Sequence, residues 1–378
     1  MNKDNGARVV MAVSNDLLTD QRVMRHVEAL REAGCEVTTV CRTDLPVRWQ
    51  RGWRFYAAFN WRLWREVSRR VKESKSGRVI VWANDTDTLL GCWLAVRGPH
   101  PPAPSPMRRR GVKLVMDAHE LFPEVPEIQG KPVVKWVWRT IEKHLMPKCD
   151  ALITVCQSIA DYYRERYGVE MTVVRNLGSY ELGVKSYELG ERPERVLLYA
   201  GKVNVGRGVD WAIDALEWLP ECRLVVAGDG DLLEEMKAYA ASKAWCDRID
   251  FTGRLMPEEM TALESKADVG LVMLEDKGLS YHYALPNRIG AFVQAGVPMV
   301  VSDLPEMAAV VRRFGVGEVI ECRPQAADRK TKVTGLAEAV KRVLAREWKE
   351  ADFAAAREDM DWNKEKQKLI DICYTTFC

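Results

Sequence analysis

Twelve short apolar runs, each followed by a segment with helical periodicity, constrain this chain more than any other feature. Six occupy 7–13, 36–41, 78–83, 113–118, 151–156 and 171–176. Six more occupy 195–201, 222–228, 248–253, 268–274, 297–303 and 316–321. Apolar runs of this length alternating with helices are the pattern of β-α units around a parallel sheet. Twelve strands exceed what one compact doubly wound sheet holds. The expected fold is therefore α/β, with two Rossmann-like doubly wound domains of six strands each.

The division is expected in 177–194, LGSYELGVKSYELGERPE, which is polar, rich in Gly and Glu, and lacks apolar periodicity. A short duplication, SYELG at 179–183 and 186–190, is too brief for a repeat architecture. This places an N-terminal domain at 1–178 and a C-terminal domain at 179–360. The last segment, about 361–378, reads as an amphipathic helix expected to pack back on the N-terminal domain. The Pro-rich stretch 98–111 reads as a surface loop.

With 378 residues, 47% hydrophobic and 29% charged, the chain can bury two cores. No run approaches the ~20 apolar residues of a membrane-spanning helix. The opening MNKDNGARVVMAV lacks the layout of a secretory leader. Ten scattered cysteines form no C-x-x-C pair, which suits buried thiols in a reducing compartment. The expected location is the cytoplasm.

The net charge of +2 is unevenly spread: residues 42–78 hold eleven Lys/Arg against Asp44, Glu66 and Glu73. Within that span, 48–66 sets Trp49, Trp53, Phe55, Tyr56, Phe59, Trp61 and Trp64 among five arginines. Trp49, Trp53, Tyr56, Asn60 and Trp64 recur at helical spacing. Two readings are open. Residues 48–70 dock on an anionic membrane, at the inner face, through an Arg-Trp surface, or the helix packs its aromatics on the core with arginines outward. No recognised nucleic-acid module surrounds the segment, so nucleic acid is not an expected partner.

Ligands of open α/β sheets bind beyond the carboxyl ends of the strands. The run 195–201 ends at Gly201, Lys202 follows, and Arg207-Gly208 opens a helix. Two cations beside a helix N-terminus can hold a diphosphate, because their charge offsets it and the free N–H groups face its oxygens. Two solvated loop cations are the alternative. Further on, LPNRIGAFVQAG (285–296) reads as a helix opening near Pro286 and closing at Gly296. In the N-terminal half, Asn15, Asp16, Asp20 and Arg22 follow the first strand, and Asp20 suits a helix cap. His119 follows the strand in VMDAHE, with Asp117 and Glu120 beside it. It is either a site residue or a histidine satisfied by a backbone group. Asn84-Asp85-Thr86-Asp87 contains D-x-D, and Asp85 or Asp87 is read as capping the next helix.

These stretches together resemble the bacterial family 4 retaining glycosyltransferases, which have the GT-B fold. The family's G-R-x-x-x-x-K-G stands here as Gly201-Lys202-Val203-Asn204-Val205-Gly206-Arg207-Gly208, with the two basic types exchanged. V-V-A-G-D-G (225–230), F-T-G-R (251–254), A-G-V-P-M-V-V-S-D (295–303), S-N-D (14–16), D-Q-R-V (20–23), D-A-H-E (117–120) and Asn176 follow in the family's order. The resemblance implies two domains facing across a cleft. It makes Lys202 and Arg207 catalytic, with His119 near the transferred sugar. Gly201, Gly208, Gly228, Gly230, Gly253, Arg254, Tyr283, Leu285, Pro286 and Asn287 become donor-binding, and Asn15, Asp16, Arg22 and Glu120 face the acceptor.

The chain departs from the family's E-x7-E, carrying Tyr283 and Ala291 at those positions. Losing the second carboxylate removes two charge-assisted hydrogen bonds to ribose, roughly 2–4 kcal/mol of donor affinity. Glu275, Asp276 and Glu306 are nearby replacements. The resemblance implies transfer from a UDP- or GDP-sugar to a glycan or lipid-linked acceptor, with retention, in surface polysaccharide or glycolipid assembly. No cofactor and no metal are expected. An impaired GT-B module that binds nucleotide or glycan for a partner protein is the alternative.

Overall fold

The structure, a computed structural model, describes residues 7–17, 20–49, 52–74, 76–97, 111–177, 194–322 and 328–377. The SYELG duplication and residues 98–110 of the Pro-rich stretch lie outside the described residues. The chain divides into two compact units. One is Met1–Arg175 with Asn363–Cys378, and the other is Asn176–Trp362.

The first unit is built on β1 (Arg8–Ala12), β2 (Glu36–Val40), β3 (Val79–Asn84), β4 (Val112–Ala118), β5 (Ala151–Thr154) and β6 (Thr172–Val173). Its helices are α1 (Gln21–Glu32), α2 (Gly52–Glu73), α3 (Thr86–Arg97), α4 (Pro132–Leu145) and α5 (Gln157–Tyr167). The second unit is built on β7 (Arg195–Ala200), β8 (Cys222–Ala227), β9 (Ile249–Gly253), β10 (Val269–Val272), β11 (Met299–Ser302) and β12 (Gly317–Ile320). Around them lie α6 (Val209–Ala215), α7 (Leu233–Ala241), α8 (Pro257–Glu264), α9 (Leu279–His282), α10 (Asn287–Ala295), α11 (Pro305–Phe314), α12 (Arg329–Ala345) and α13 (Glu350–Asp359). The chain then returns to the first unit through α14 (Trp362–Thr375), most of which falls within that unit.

All twelve expected strands are present. Strands β3 and β8 are buried along their whole length, and their sequences are apolar apart from Asn84 and Arg223. β6 shrinks to two residues at the sheet edge, where the run 171–176 has a partner on one side only.

Strand order is what sequence periodicity could not supply. The first sheet runs β2-β1-β3-β4-β5-β6 and the second β12-β11-β10-β7-β8-β9, with parallel pairing throughout. Renumbered within its own unit, the second sheet has the 3-2-1-4-5-6 order of dinucleotide-binding folds, and its order reverses between β7 and β10. The first has the 2-1-3-4-5 order of flavodoxin-like folds, reversing between β1 and β3. Such reversal points open a crevice at the strands' carboxyl ends.

Asp20 caps α1, its Oδ1 accepting from the Val23 N–H at 3.1 Å. Pro286 is the N-cap of α10, and Gly296 closes that helix at φ +70°. α14 is tied to the first unit by Glu365, 0% exposed, which accepts from the Arg175 N–H (3.0 Å) and Nε (2.8 Å). The Tyr374 hydroxyl donates to the Ala33 carbonyl at 3.0 Å.

In α2 the buried stripe is Phe55, Phe59, Leu63, Val67 and Val71 at four-residue spacing. Tyr56 and Trp64 are half-buried, whereas Trp53 and Trp61 are 76% and 57% exposed. Trp49 precedes the helix, which corrects its placement in the helical stripe. The packing explanation thus holds for the phenylalanines and fails for Trp53 and Trp61.

Candidate active site

In the second unit the loop after β7 lies at the reversal point. Gly208 adopts φ +66°, and a Cβ there would come within 2.6 Å of the Met273 Cβ, so only glycine fits. Gly228 admits the same close approach: its Cβ would lie 1.8 Å from the Gly201 carbonyl oxygen. Backbone bonds lock the loops after β7 and β8 together. Val203 N–H donates to the Asp229 carbonyl (2.8 Å) and Leu232 N–H to the Val203 carbonyl (3.0 Å). The Tyr199 hydroxyl, beneath them, donates to the Lys202 carbonyl at 2.7 Å.

On this frame Lys202 is 60% exposed, with Nζ 2.6 Å from Asp229 Oδ1. That hydrogen bond holds the Asp229 carboxyl below its ordinary range, and the charge of the exposed Arg254 adds to the effect. Lys202 is therefore not a bare cation: a carboxylate from the neighbouring loop already faces it. Asp229 is itself 44% exposed, and such pairs contribute only about 0–1 kcal/mol. Arg207 is half-buried, its Cζ 4.8 Å from the ring centroid of Tyr281 in α9. Its Nε is buried without a hydrogen-bond partner.

Gly253, at φ +68°, accepts from the Gly228 N–H at 2.8 Å. Tyr283 closes α9 and meets His282 edge-on at 4.9 Å. Leu285, Pro286 and Asn287 are half-buried at the start of α10. Of the carboxylates considered for ribose, Glu275 pairs with Lys277 (3.0 Å) and Asp276 with His282 (3.1 Å). Glu306 lies in the first turn of α11. A cavity of about 310 Å³ is lined by Asn204, Gly206, Leu232, Tyr239, Glu275 and Arg329 among others, but its lining includes neither Lys202 nor Arg207.

The first unit's reversal point is arranged differently. Asn15 is exposed and Asp16 half-buried in the turn after β1. Arg22 is only 3% exposed: its guanidinium grips Asp117 through Nε (2.9 Å) and Nη2 (2.8 Å), and Nη1 donates to the Val174 carbonyl (2.8 Å). Arg22 therefore ties α1 to the end of β4 and to the segment after β6. Asp117 is 0% exposed, and His26 Nδ1 lies 3.3 Å from its Oδ2. Burial would raise the Asp117 carboxyl, but Arg22 and His119 outweigh it and hold it well below the usual value. Burial keeps His26 neutral by pushing it well down.

His119 is half-buried, and its ring faces two carboxylates: Nδ1 is 3.3 Å from Asp85 Oδ2, and Nε2 is 3.3 Å from Asp117 Oδ2. The backbone-satisfied reading of this histidine is thereby corrected. Burial would depress the imidazole, but Asp85 and Asp117 raise it to about 9. Glu120 is half-buried beside it. The reading of Asp85 as a helix cap is corrected too, because its Oδ1 accepts from the His119 N–H at 2.8 Å. Asp87 sits in the first turn of α3 with its carboxylate toward its own N–H and Ser14. Burial raises both aspartates to about 7. Sequence reasoning missed the roles of Asp229, Tyr281 and Asp85. Asp85 and Asp229 follow strand ends within two residues, which was the available signal.

Residues 19–177 match the family model for a glycosyl transferase 4-like domain, and residues 194–349 match glycosyl transferases group 1. The chain belongs to the GT4-like glycosyltransferases of the GT-B fold. This glycosyltransferase is 24% identical over 247 residues to alpha-D-kanosaminyltransferase of Streptomyces kanamyceticus. The match covers 54% of this chain and spans 61% of that protein's length. In fold it is similar to sucrose-phosphate synthase from Thermosynechococcus elongatus: TM-score 0.74, 15% identity, covering 98% of this chain and 99% of that one. It is also similar to a structure described as trehalose-6-phosphate from E. coli bound with UDP-2-fluoro glucose: TM-score 0.62, 13% identity, covering 97% and 99%. At these identities the feature that this glycosyltransferase shares with the solved structures is the fold, so the assignment of side chains rests on the geometry above.

Proposed function

We propose that this glycosyltransferase moves a sugar from a UDP- or GDP-sugar to a glycan or lipid-linked acceptor with retention of configuration, in surface polysaccharide or glycolipid assembly. The single observation that carries the reading is the basic loop at the reversal point of the second sheet, where the buried Nε of Arg207 lacks a protein partner. A diphosphate would supply that partner and draw Lys202 off Asp229. The bond between the anomeric carbon and the diphosphate oxygen breaks as the acceptor oxygen attacks. The acceptor proton passes to a leaving-phosphate oxygen. Lys202, Arg207 and the amide end of α10 offset the charge that develops there, in place of a divalent metal. The donor belongs to the second unit and the acceptor to the first, and the family resemblance assigns His119 to the transferred sugar.

The test is calorimetric titration with UDP and GDP, followed by donor turnover with and without EDTA. Binding of one nucleotide and EDTA-insensitive turnover are expected. Ala291 favours a second reading, a nucleotide- or glycan-binding module without turnover. Nucleotide binding without turnover would favour it, and failure of both nucleotides to bind would count against the enzyme.

The acceptor is reached at an anionic membrane surface, with the protein itself cytoplasmic. Exposed Trp53 and Trp61 stand among Arg54, Arg62 and Arg65 on α2. Neighbouring α4 exposes Val133, Val134, Trp136 and Val137, and the Tyr56–Trp138 contact (4.9 Å) brings the two helices together. Co-sedimentation with anionic liposomes at low salt is expected, and a protein left wholly in the supernatant overturns this part.

A further inference from the structure

The segment after β3 holds Asp85 in an unusual state. At φ +63° it is the one non-glycine with positive φ among the described residues. An L side chain is strained in that region, so surrounding contacts must hold it there. The Asp85 carbonyl accepts from Thr88 in α3 (Oγ1 at 3.2 Å), while its N–H and carboxylate are held by the end of β4 and the residue after it. The Asp85 N–H donates to the Asp117 carbonyl at 2.8 Å, and Asp85 Oδ1 accepts from the His119 N–H at 2.8 Å. Oδ2 then lies 3.3 Å from His119 Nδ1, while Asp117 Oδ2 lies 3.3 Å from Nε2 on the ring's other edge. Asp117 also carries Arg22 and His26. Among the described residues, His119 is the ion-pair partner of Asp85.

We propose that Asp85 is a positioning residue for the transfer reaction: with Asp117 it clamps the His119 ring between two carboxylates, fixing its plane and its positive charge. The proposal rests on the reading that His119 faces the transferred sugar. A clamped imidazolium, with both N–H groups facing carboxylates, can attract an anion through its charge but cannot take a proton. The backbone strain at Asp85 has a use, since the extended or helical alternatives would carry the carboxylate elsewhere.

The groups around the ring agree. Burial depresses His119 and Arg22 adds to that, yet Asp85 and Asp117 raise it to about 9. Burial raises Asp85 to about 7 and Glu120 and Asp20 add to this, while His119 opposes them. His26, buried and neutral, adds no positive charge beside the ring. Asp87, which Asp85 repels, senses His119 as an attraction. The charge on His119 therefore depends on Asp85 more than on any other group that Asp117 does not already serve.

The experiment is a pH titration of the five histidine imidazoles by NMR in the wild type, Asp85→Asn and Asp85→Gly, paired with the pH profile of sugar transfer. Asp85→Gly accepts positive φ without strain, so it controls for misfolding. In the wild type one imidazole should titrate near pH 9. In both variants its proton affinity should fall at least about tenfold, the effect of one lost close charge. Turnover should stay flat to about pH 8.5 in the wild type and decline about one pH unit earlier in the variants. An His119 that titrates alike in all three proteins overturns the clamp. A shifted His119 with unchanged pH profiles overturns the positioning role. If the wild type transfers no sugar, the transferase reading fails on its own, and the imidazole titration still decides the clamp.

Discussion

The two reversal points of this glycosyltransferase treat charge in opposite ways. In the first unit Arg22, Asp117 and His119 are 3%, 0% and 16% exposed at the side chain and are bonded to one another. In the second, Lys202 is 60% exposed and shares one weak partner, and Arg207 rests on an aromatic ring with a nitrogen unused. Buried charges must be paired where they stand, so the first arrangement is rigid and costly to disturb. Exposed cations keep most of their hydration and can exchange partners, which suits a site that binds and releases a polyanion each turn. One face is built to stay the same while the other is built to change.

The sharpest break of this contrast is Asp117→Asn. It strands the buried Arg22 charge and should cost the first unit about 3–5 kcal/mol, read by urea unfolding. A loss below about 1 kcal/mol would mean the network is no more than a surface pair. Next is Glu142 on α4, 0% exposed and receiving Thr86 Oγ1 (2.8 Å), Tyr163 OH (3.0 Å) and Tyr167 OH (3.0 Å). Burial raises its carboxyl from 4.5 to about 7. The folded state thus holds the proton more tightly than the unfolded chain. The stability this contributes is complete below pH 4.5 and is lost as pH rises through 7, on the order of 3 kcal/mol. Glu142→Gln should flatten that slope in a pH series of melting curves.

For the second unit, Lys202→Ala and Arg207→Ala should each lower turnover at least about tenfold while leaving the melting temperature within about 2 °C. Near-normal turnover in both would remove the proposed donor site. The smallest effect belongs to Asp229→Asn, which frees Lys202. UDP or GDP should bind about 2–5-fold more tightly, by calorimetry, and weaker binding would show that Asp229 serves the ligand instead.

The same contrast explains what the sequence disclosed. Strands were legible because a strand buried on both faces is mostly apolar along its length, as in β3 and β8. Sheet order was not, since a run such as 268–274 carries no mark of whether β7 or β9 lies beside it. Lys202 and Arg207 stood out as cations just past a strand. Asp229 as the partner of Lys202 did not, because the pairing depends on β8 lying next to β7. Asp85 was misread because a capping carboxylate and a clamping one occupy the same slot before a helix. Only the turn of its backbone separates the two. Arg22, expected to face the acceptor, is instead buried against Asp117 near the end of β4, a pairing that depends on sheet order.

The path of α14 has its own consequence. Glu365 and Tyr374 complete the first unit, yet the ribosome makes them after all of Asn176–Trp362. During synthesis the earlier-made half must wait, with Arg175 lacking its carboxylate, until the later-made half has left the exit tunnel. A released chain that ends at Trp362 should therefore expose a protease-sensitive N-terminal portion beside an already resistant later one.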